Sequence, residues 1–340
     1  MNRSFTAYLT VMVATIMLVC AFVFGVNWLV DPLWYHGGNR LTGENFRFDE
    51  RAQKINALLP NKDAYDCIIF GSSRTVVLPA SAIPGHRCFN LAFSAGTMEE
   101  FVPYAAYLKS IGMDPKIIIV GVDDFQFYKG DAEMTVPSFI TQKKPPRSVW
   151  LSYLTLDAFG MSLHALRGAS GDEWIIGRNL EVSRLQLNSY DPQTDKSGLV
   201  PAQSYNAGRS ADYAKIRALF PAAQMVGYVP PLSAWRIANM RKARALDAYL
   251  DIITQAAQHF DRFNDFGVPS EITADPANSY DGSHYSPAIN RAIAAVLIGG
   301  DASPALDLKR LSREEVTAAY LAALEKYQDR LALTGSPAIP

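Results

Sequence analysis

This sequence has no Cys/His cluster at metal-ligand spacing and no glycine-rich loop of the kind that cradles a nucleotide phosphate. Neither a metal nor an organic cofactor is therefore expected. An excess of one charge is also missing. The 32 Lys and Arg against 33 Asp and Glu leave a net charge of −1, with no basic footprint for nucleic acid and no polybasic tract for anionic lipid. There is no solenoid-type repeat. Cysteine is scarce, three in 340 residues, which excludes a disulfide framework. Cys20 lies in an apolar run behind Val19, where a lipoprotein cleavage site wants a small residue. Cys67 and Cys88 each sit near the start of a predicted strand. The plain expectation there is two buried thiols, a bridge being open only if those strands are neighbours.

What is present begins at the N-terminus. No charged residue occurs from Phe5 to Val30. A helix of about 24 residues rises roughly 36 Å, enough to cross a bilayer with some tilt. Asp31 and Pro32 end it, and Trp28 and Trp34 fall where an aromatic belt would lie. A cleaved signal peptide, cut near Val23-Phe24-Gly25, is the competing reading. The run is long for a signal peptide and its basic flank is only Arg3, so residues 1–32 are read as an uncleaved anchor. Arg3 and the terminal amine favour a cytoplasmic N-terminus, although the far flank carries Arg40, Arg47, Arg51 and Lys54 among acids. The bulk of the chain is then outside the cytoplasm. No later run is long and apolar enough to span again.

Residues 33–340 read as one α/β domain. Phe46 to Leu59 predicts an amphipathic helix stopped by Pro60, and Asp66–Phe70 a buried strand running into Gly71-Ser-Ser-Arg-Thr75. Cys88–Ala92 predicts a second strand, followed by a helix capped by Thr97 and Glu100 and reaching about Ile111. Lys116–Val122 is a third strand. Strands alternating with helices argue a parallel sheet with right-handed crossovers. From about 126 to 221 the pattern breaks into helical stretches (Ser148 to Leu166, Ala211 to Phe220) and polar loops. This reads as an insertion over the carboxyl edge of the sheet. The stripe Trp150, Leu151, Leu154, Phe159, Leu163, Leu166 is expected as core or as a lid against the membrane. Strands resume at Gln224–Val229 and near Phe260–Asp265, separated by a predicted helix from Ser233 to about His259. Ser286-Pro287 opens a helix to about Ile298, and Ser312 with Glu315 caps a last one ending near Gly335.

The chemistry concentrates in two places. Ser73 sits in a turn directly after the first strand, where its hydroxyl would project from the carboxyl edge of the sheet. Gly71 permits that turn, and the backbone N–H groups that follow suit a developing oxyanion. A serine needs a base and a third group to orient the base. Asp281-Gly-Ser-His284 supplies both on one loop, at a spacing that lets the carboxylate fix the imidazole tautomer. The other histidines, His36, His86, His164 and His259, have no such partner and read as surface or packing residues. Phe93, Phe125, Phe127, Tyr128 and Tyr285 crowd the predicted mouth, where aromatic faces suit a sugar ring or simply pack the core.

Gly71-x-Ser73 followed by Asp281-x-x-His284 resembles the SGNH (GDSL-type) hydrolase superfamily over about residues 62 to 298. The resemblance implies a three-layer, flavodoxin-like parallel-sheet fold. It also implies Ser73 as nucleophile, His284 as general base and Asp281 as its orienter. Asn90-Leu-Ala-Phe-Ser-Ala-Gly96 matches the block that carries an oxyanion glycine, making Gly96 the partner of the Ser73 N–H. Two departures stand out. Ser72 replaces the aspartate of GDSL, and Gly121-Val-Asp-Asp-Phe125 stands where an oxyanion asparagine belongs. The Gly-Ser-Ser-Arg turn behind one anchor is similar to the membrane-tethered branch, which includes D-alanyl-lipoteichoic acid assembly and alginate O-acetyltransferase accessory proteins. That likeness implies an acylated glycan or other ester as substrate and a membrane-bound O-acyltransferase as partner. Arg74 would then hold an anionic or sugar group unless it forms a surface salt bridge. Asp123 and Asp124 would either bind substrate hydroxyls or cap the strand end.

Two functions of different class remain open, a serine esterase or acyltransferase and a non-catalytic, anchored glycan-binding or assembly factor. A third reading makes Ser72 the nucleophile.

Overall fold

Short apolar runs bounded by turn residues form strands, and these pair into one six-stranded sheet. The computed structural model describes residues 3–129, 136–168, 174–184, 190–301 and 304–333. In chain order the strands are β1 (Cys67–Phe70), β2 (Cys88–Asn90), β3 (Ile117–Gly121), β4 (Gln224–Val229), β5 (Arg262–Asp265) and β6 (Leu306–Asp307). Their spatial order is β2-β1-β3-β4-β5-β6. The first five run parallel, and Ile68, Ile69, Phe70, Ile118, Ile119 and Val120 have no exposed surface, as strands buried on both faces require. The sheet is not wholly parallel. Its edge strand β6 pairs antiparallel with β5, Asn264 opposite Asp307. Two residues at an edge are too little sequence to announce that direction. The order reverses at β1, which has β2 on one side and β3 on the other. In open α/β sheets the crevice outside the carboxyl ends at such a reversal is where ligands bind.

The register of β1 and β2 sets Cys67 opposite Cys88, and the two sulfurs are bonded at 2.06 Å. The expectation of two free buried thiols is thereby corrected. Neighbouring parallel strands bring the side chains together, which sequence alone does not fix. Replacing both cysteines by serine is expected to lower stability by about 3 kcal/mol, the chain-entropy value for a loop of about 20 residues. Denaturant unfolding of the full chain reads this directly, and an unchanged midpoint would mean that the bond does not form.

Several helices begin or break where a local cap dictates. The helix expected from Phe46 starts at Glu50, because the Asp49 carboxylate accepts from the Ala52 N–H at 3.1 Å. The stretch expected as one helix from Ser148 to Leu166 is two, Val149–Tyr153 and Leu156–Arg167, with Thr155 capping the second. The long helix expected from Ser233 to His259 is also two, Ala234–Lys242 and Leu246–Ala257. Between them Arg244 adopts φ +55°, while the Ala245 and Arg244 N–H groups bond back to Met240 and Arg241 carbonyls. This is a Schellman stop with arginine where glycine usually gives the signal. The helices after Thr97, Ser286 and Ser312 begin as expected, at Met98, Pro287 and Arg313. The last breaks after Lys326 and resumes over Gln328–Leu333, and its expected end near Gly335 lies outside the described residues.

Contacts divide the chain into two compact units, Met1–Pro60 with Lys144–Arg184, and Asn61–Lys143 with Leu185–Pro340. Of the segment 126–221, the described residues within 144–184 group with the N-terminal unit, and those within 126–143 and 190–221 group with the sheet-bearing unit. In the first unit the helix Arg3–Val30 packs on Leu156–Arg167, and Glu44–Asn45 pairs with Ile175–Gly177, which pairs in turn with Val182–Arg184. Buried polar groups fix this arrangement. Asn27 donates to the Tyr153 carbonyl and accepts from the Ser162 hydroxyl, both at 2.8 Å. Asp31, fully buried at φ +46°, accepts from Tyr153 Oη and from the N–H groups of Tyr35, His36 and Gly38. The helix Ser4–Val30 is long and apolar enough to cross a membrane, its most apolar window having a mean hydropathy of 2.6. The Trp150 stripe is not core. Trp150, Leu151, Leu154, Leu163 and Leu166 are all exposed.

Candidate active site

The sheet-bearing unit gathers the chemistry at the carboxyl ends of β1, β3 and β4. After Phe70 the chain turns through Gly71 and Ser72 into the short helix Ser73–Val76. Ser72 caps it, its hydroxyl accepting from the Arg74 N–H at 3.2 Å, and has no exposed surface. Ser73 is the first helical residue and is half-buried, with an N–H that has no acceptor inside the helix. Gly71 does not serve the turn through an unusual φ. A Cβ at Gly71, or at Gly121 on β3, would collide with the Thr75 side chain, so both glycines let this helix settle onto the strand ends. Asn90, at the end of β2, holds the helix from beneath by donating to the Thr75 and Leu78 carbonyls at 2.8 Å each.

The Asp281–His284 loop is organised by its own short polar residues. Ser279 Oγ accepts from the Gly282 N–H at 2.7 Å and donates to the His284 carbonyl at 3.1 Å. Asp281 Oδ1 accepts from the backbone N–H groups of Ser283 and His284 at 2.9 and 2.8 Å. Its other oxygen, Oδ2, lies 2.8 Å from His284 Nδ1. Although 211 positions away in sequence, Ser73 Oγ is 2.8 Å from His284 Nε2. Partial burial works to raise the Asp281 pKa, but the imidazole and the two N–H donors outweigh it and hold the carboxyl down to about 2. Gly282 has φ +80°, and a Cβ there would approach the Tyr190 ring to 2.7 Å. Tyr190 in turn hydrogen-bonds Asp195 and Ser233, so the segment after β4 and the Asp281–His284 loop are braced against one ring.

Arg74, Asp123 and Asp124 are placed beside this array but are given to one another rather than to solvent. Arg74 Nη1 donates to Asp123 Oδ1 at 2.8 Å and to Asp124 Oδ1 at 3.0 Å, and Nη2 reaches Ser283 Oγ at 3.4 Å. Arg236, one turn into the helix after β4, donates to Asp124 Oδ2 at 2.6 Å, and the Tyr128 hydroxyl donates to the same oxygen. Both aspartates are buried. Burial would raise the Asp124 carboxyl, yet the Arg236 and Arg74 guanidinium groups hold it well below the usual carboxylate range. In this structure the three residues brace one another, and the surface salt bridge weighed for Arg74 is a buried one. Asp123 additionally caps the turn Asp124–Phe127. Asp124→Ala is expected to cost about 3–5 kcal/mol, because it leaves two buried cations short of a partner. Urea unfolding checks this, and a loss well under that range would mean water replaces the carboxylate.

Gly96 lies at the same rim, but its N–H donates to the Phe93 carbonyl at 3.0 Å in its own turn, where Ala95 takes φ +53°. A Cβ on Gly96 would come within 2.7 Å of the Gly71 carbonyl oxygen, so close approach is what the position demands. Of the aromatics at the mouth, Phe93, Phe127 and Tyr285 are core, and only Phe125 and Tyr128 are half-exposed. Among the remaining histidines, His86 does have a carboxylate partner, Asp66 at 3.0 Å, but at the amino end of β1. Sequence reading missed Arg236, Tyr190 and Ser279. Ser279 carried the one available signal, a small hydroxyl just ahead of the Asp-x-x-His loop. Among the described residues no group of His, Cys, Asp and Glu is arranged to hold a metal ion.

Comparison of the chain with protein-family models, with curated proteins and with solved structures finds no significant match.

Proposed function

We propose that this protein is a membrane-anchored, extracytoplasmic serine esterase or O-acyltransferase of the SGNH type, acting on an acylated cell-surface glycan or a similar ester. The observation that carries this reading is the continuous hydrogen-bonded line from Ser73 Oγ through His284 to Asp281, with both links at 2.8 Å. Such a line makes a hydroxyl nucleophilic. Ser73 Oγ forms a bond to the ester carbonyl carbon as its proton passes to His284 Nε2. The tetrahedral oxyanion is met by the Ser73 N–H. On collapse the carbon–alkoxy bond breaks, and the leaving oxygen takes the proton from His284. The acyl-serine is then resolved by the reverse sequence, with water or a glycan hydroxyl as the incoming group. The apolar helix Ser4–Val30 supports an anchor, and the Cys67–Cys88 bond supports an oxidising compartment outside the cytoplasm. A membrane-bound O-acyltransferase as the source of acyl groups belongs to the same proposal.

A second reading, an anchored assembly or glycan-binding factor without catalysis, is favoured by two observations at the rim. Buried carboxylates stand at the end of β3, and the Gly96 N–H is engaged in its own turn. A fluorophosphonate probe on the purified full chain separates the two. Labelling that disappears in Ser73→Ala and persists in Ser72→Ala supports the enzyme. Absence of labelling in the unaltered protein supports the assembly factor. Labelling lost only in Ser72→Ala would move the nucleophile to a residue that the fold buries.

A further inference from the structure

In the N-terminal unit the helix pair Val149–Tyr153 and Leu156–Arg167 has apolar side chains on both of its faces. The inner face, with Ser152, Tyr153, Ala158, Ser162 and Ala165, is buried. The contacts of the pair run to the last third of the helix Arg3–Val30: on the inner side Asn27 bonds Tyr153 and Ser162 and Phe159 meets Phe22 edge-on at 6.0 Å, while at the margin of the outer face Trp150 keeps one ring face on Phe24, centroids 5.5 Å apart. The outer face is apolar and exposed. Trp150 is 69% exposed, Leu151 60% and Leu156 77%, with Leu154, Leu163 and Leu166 also bare. From Val149 to Leu166 the only acidic or basic residue besides His164 is Asp157, whereas Lys143, Lys144 and Arg147 come just before. A soluble helix pair normally turns its charged side to water. This one turns out tryptophan and leucine, and it does so beside a helix that is itself bare for most of its length.

We propose that this helix pair is a second membrane contact, lying in the interface of the bilayer at the end where the apolar helix emerges. The occupant of the outer face is lipid. Phe22 lies eight positions before Val30, about 12 Å along the helix axis at the usual rise, so the pair reaches one interfacial layer deep and not across. Trp150 on Phe24, and Trp28 under the Arg40 guanidinium at 4.1 Å, are where an aromatic belt belongs. The polar bonds of Asn27 lock the pair to the spanning helix and also remove an unpaired amide from the edge of the hydrocarbon. The contact is thus a rigid foot around the emerging helix, and it rests on the reading of Arg3–Val30 as an anchor.

The test uses the full chain in nanodiscs of neutral lipid. Leu156→Cys and, separately, Leu18→Cys are made with Cys20→Ser and labelled with an environment-sensitive fluorophore. Both positions are exposed in the protein alone. If the proposal holds, the probe at 156 is quenched at least twofold by lipid carrying a shallow spin label and is protected from aqueous iodide. The probe at 18 answers to a deep label. If position 18 is quenched by lipid and position 156 only by iodide, the foot is overturned while the anchor stands. If neither answers to lipid, both fall. Protection of position 156 from lipid and iodide alike, in discs holding two chains, overturns the proposal in favour of a second copy covering the face.

Discussion

Ser73→Ala will lower turnover of an activated acyl ester by at least about a thousandfold, with the fold intact. The hydroxyl removed is half-exposed and has the imidazole as its bonded partner, so its loss leaves no buried group unsatisfied. The turn that presents it is held by other residues: Ser72 caps the short helix, Asn90 secures its far end, and Gly71 and Gly121 admit Thr75 beneath it. The variant should therefore unfold at the same denaturant concentration as the parent. The residual rate should equal what binding and backbone donors supply without a nucleophile. A loss of less than tenfold would remove Ser73 from the reaction.

Asp281→Asn will cost about 10⁴-fold in kcat through the tautomer of His284. Asp281 Oδ1 accepts from two backbone N–H groups, Ser283 and His284, so an asparagine will keep its carbonyl oxygen there. Its NH2 then faces Nδ1, which must accept a hydrogen bond. The ring proton moves to Nε2, the atom that has to take the proton from Ser73. In the unaltered protein burial works to raise the Asp281 pKa, and its hydrogen bonds outweigh that and bring it down to about 2. The sign follows from that depression. The bonds of the carboxylate stabilise the loop above its ordinary pKa of 3.8 and are lost only as pH falls through about 2. No limb of the rate profile in neutral or mildly acidic solution belongs to Asp281. Rates for the asparagine variant across that range check the tautomer argument, and a modest uniform loss would mean that Asp281 only positions the loop.

Much of the sheet was legible because buried parallel strands write themselves as continuous apolar runs. Gln224–Val229 was located to the residue, and β1 and β3 to within a residue at each end. The helix stop at Arg244 was hidden because the stop uses a non-glycine left-handed residue. The antiparallel edge β6 was hidden because two residues carry no periodicity. In the site, the meeting of Ser73, Asp281 and His284 was legible through order and spacing. The fate of Arg74 was not, since a charged residue reads as exposed until its partners are known. Those partners come from the ends of two other strands, Asp123 and Asp124 after β3 and Arg236, through Asp124, after β4. Long-range pairing of buried charges leaves no local mark.

The Cys67–Cys88 bond closes a covalent ring that contains Ser73. The ring's exposed bend is at Pro84-Gly85, between Ser73 and β2 in the chain. A protease cutting that bend would release no fragment, and the nicked molecule would migrate as one chain until thiol was added. The strand that leads into Ser73 would stay stapled to its neighbour, so such a cut would leave the Ser73 turn tethered to the sheet.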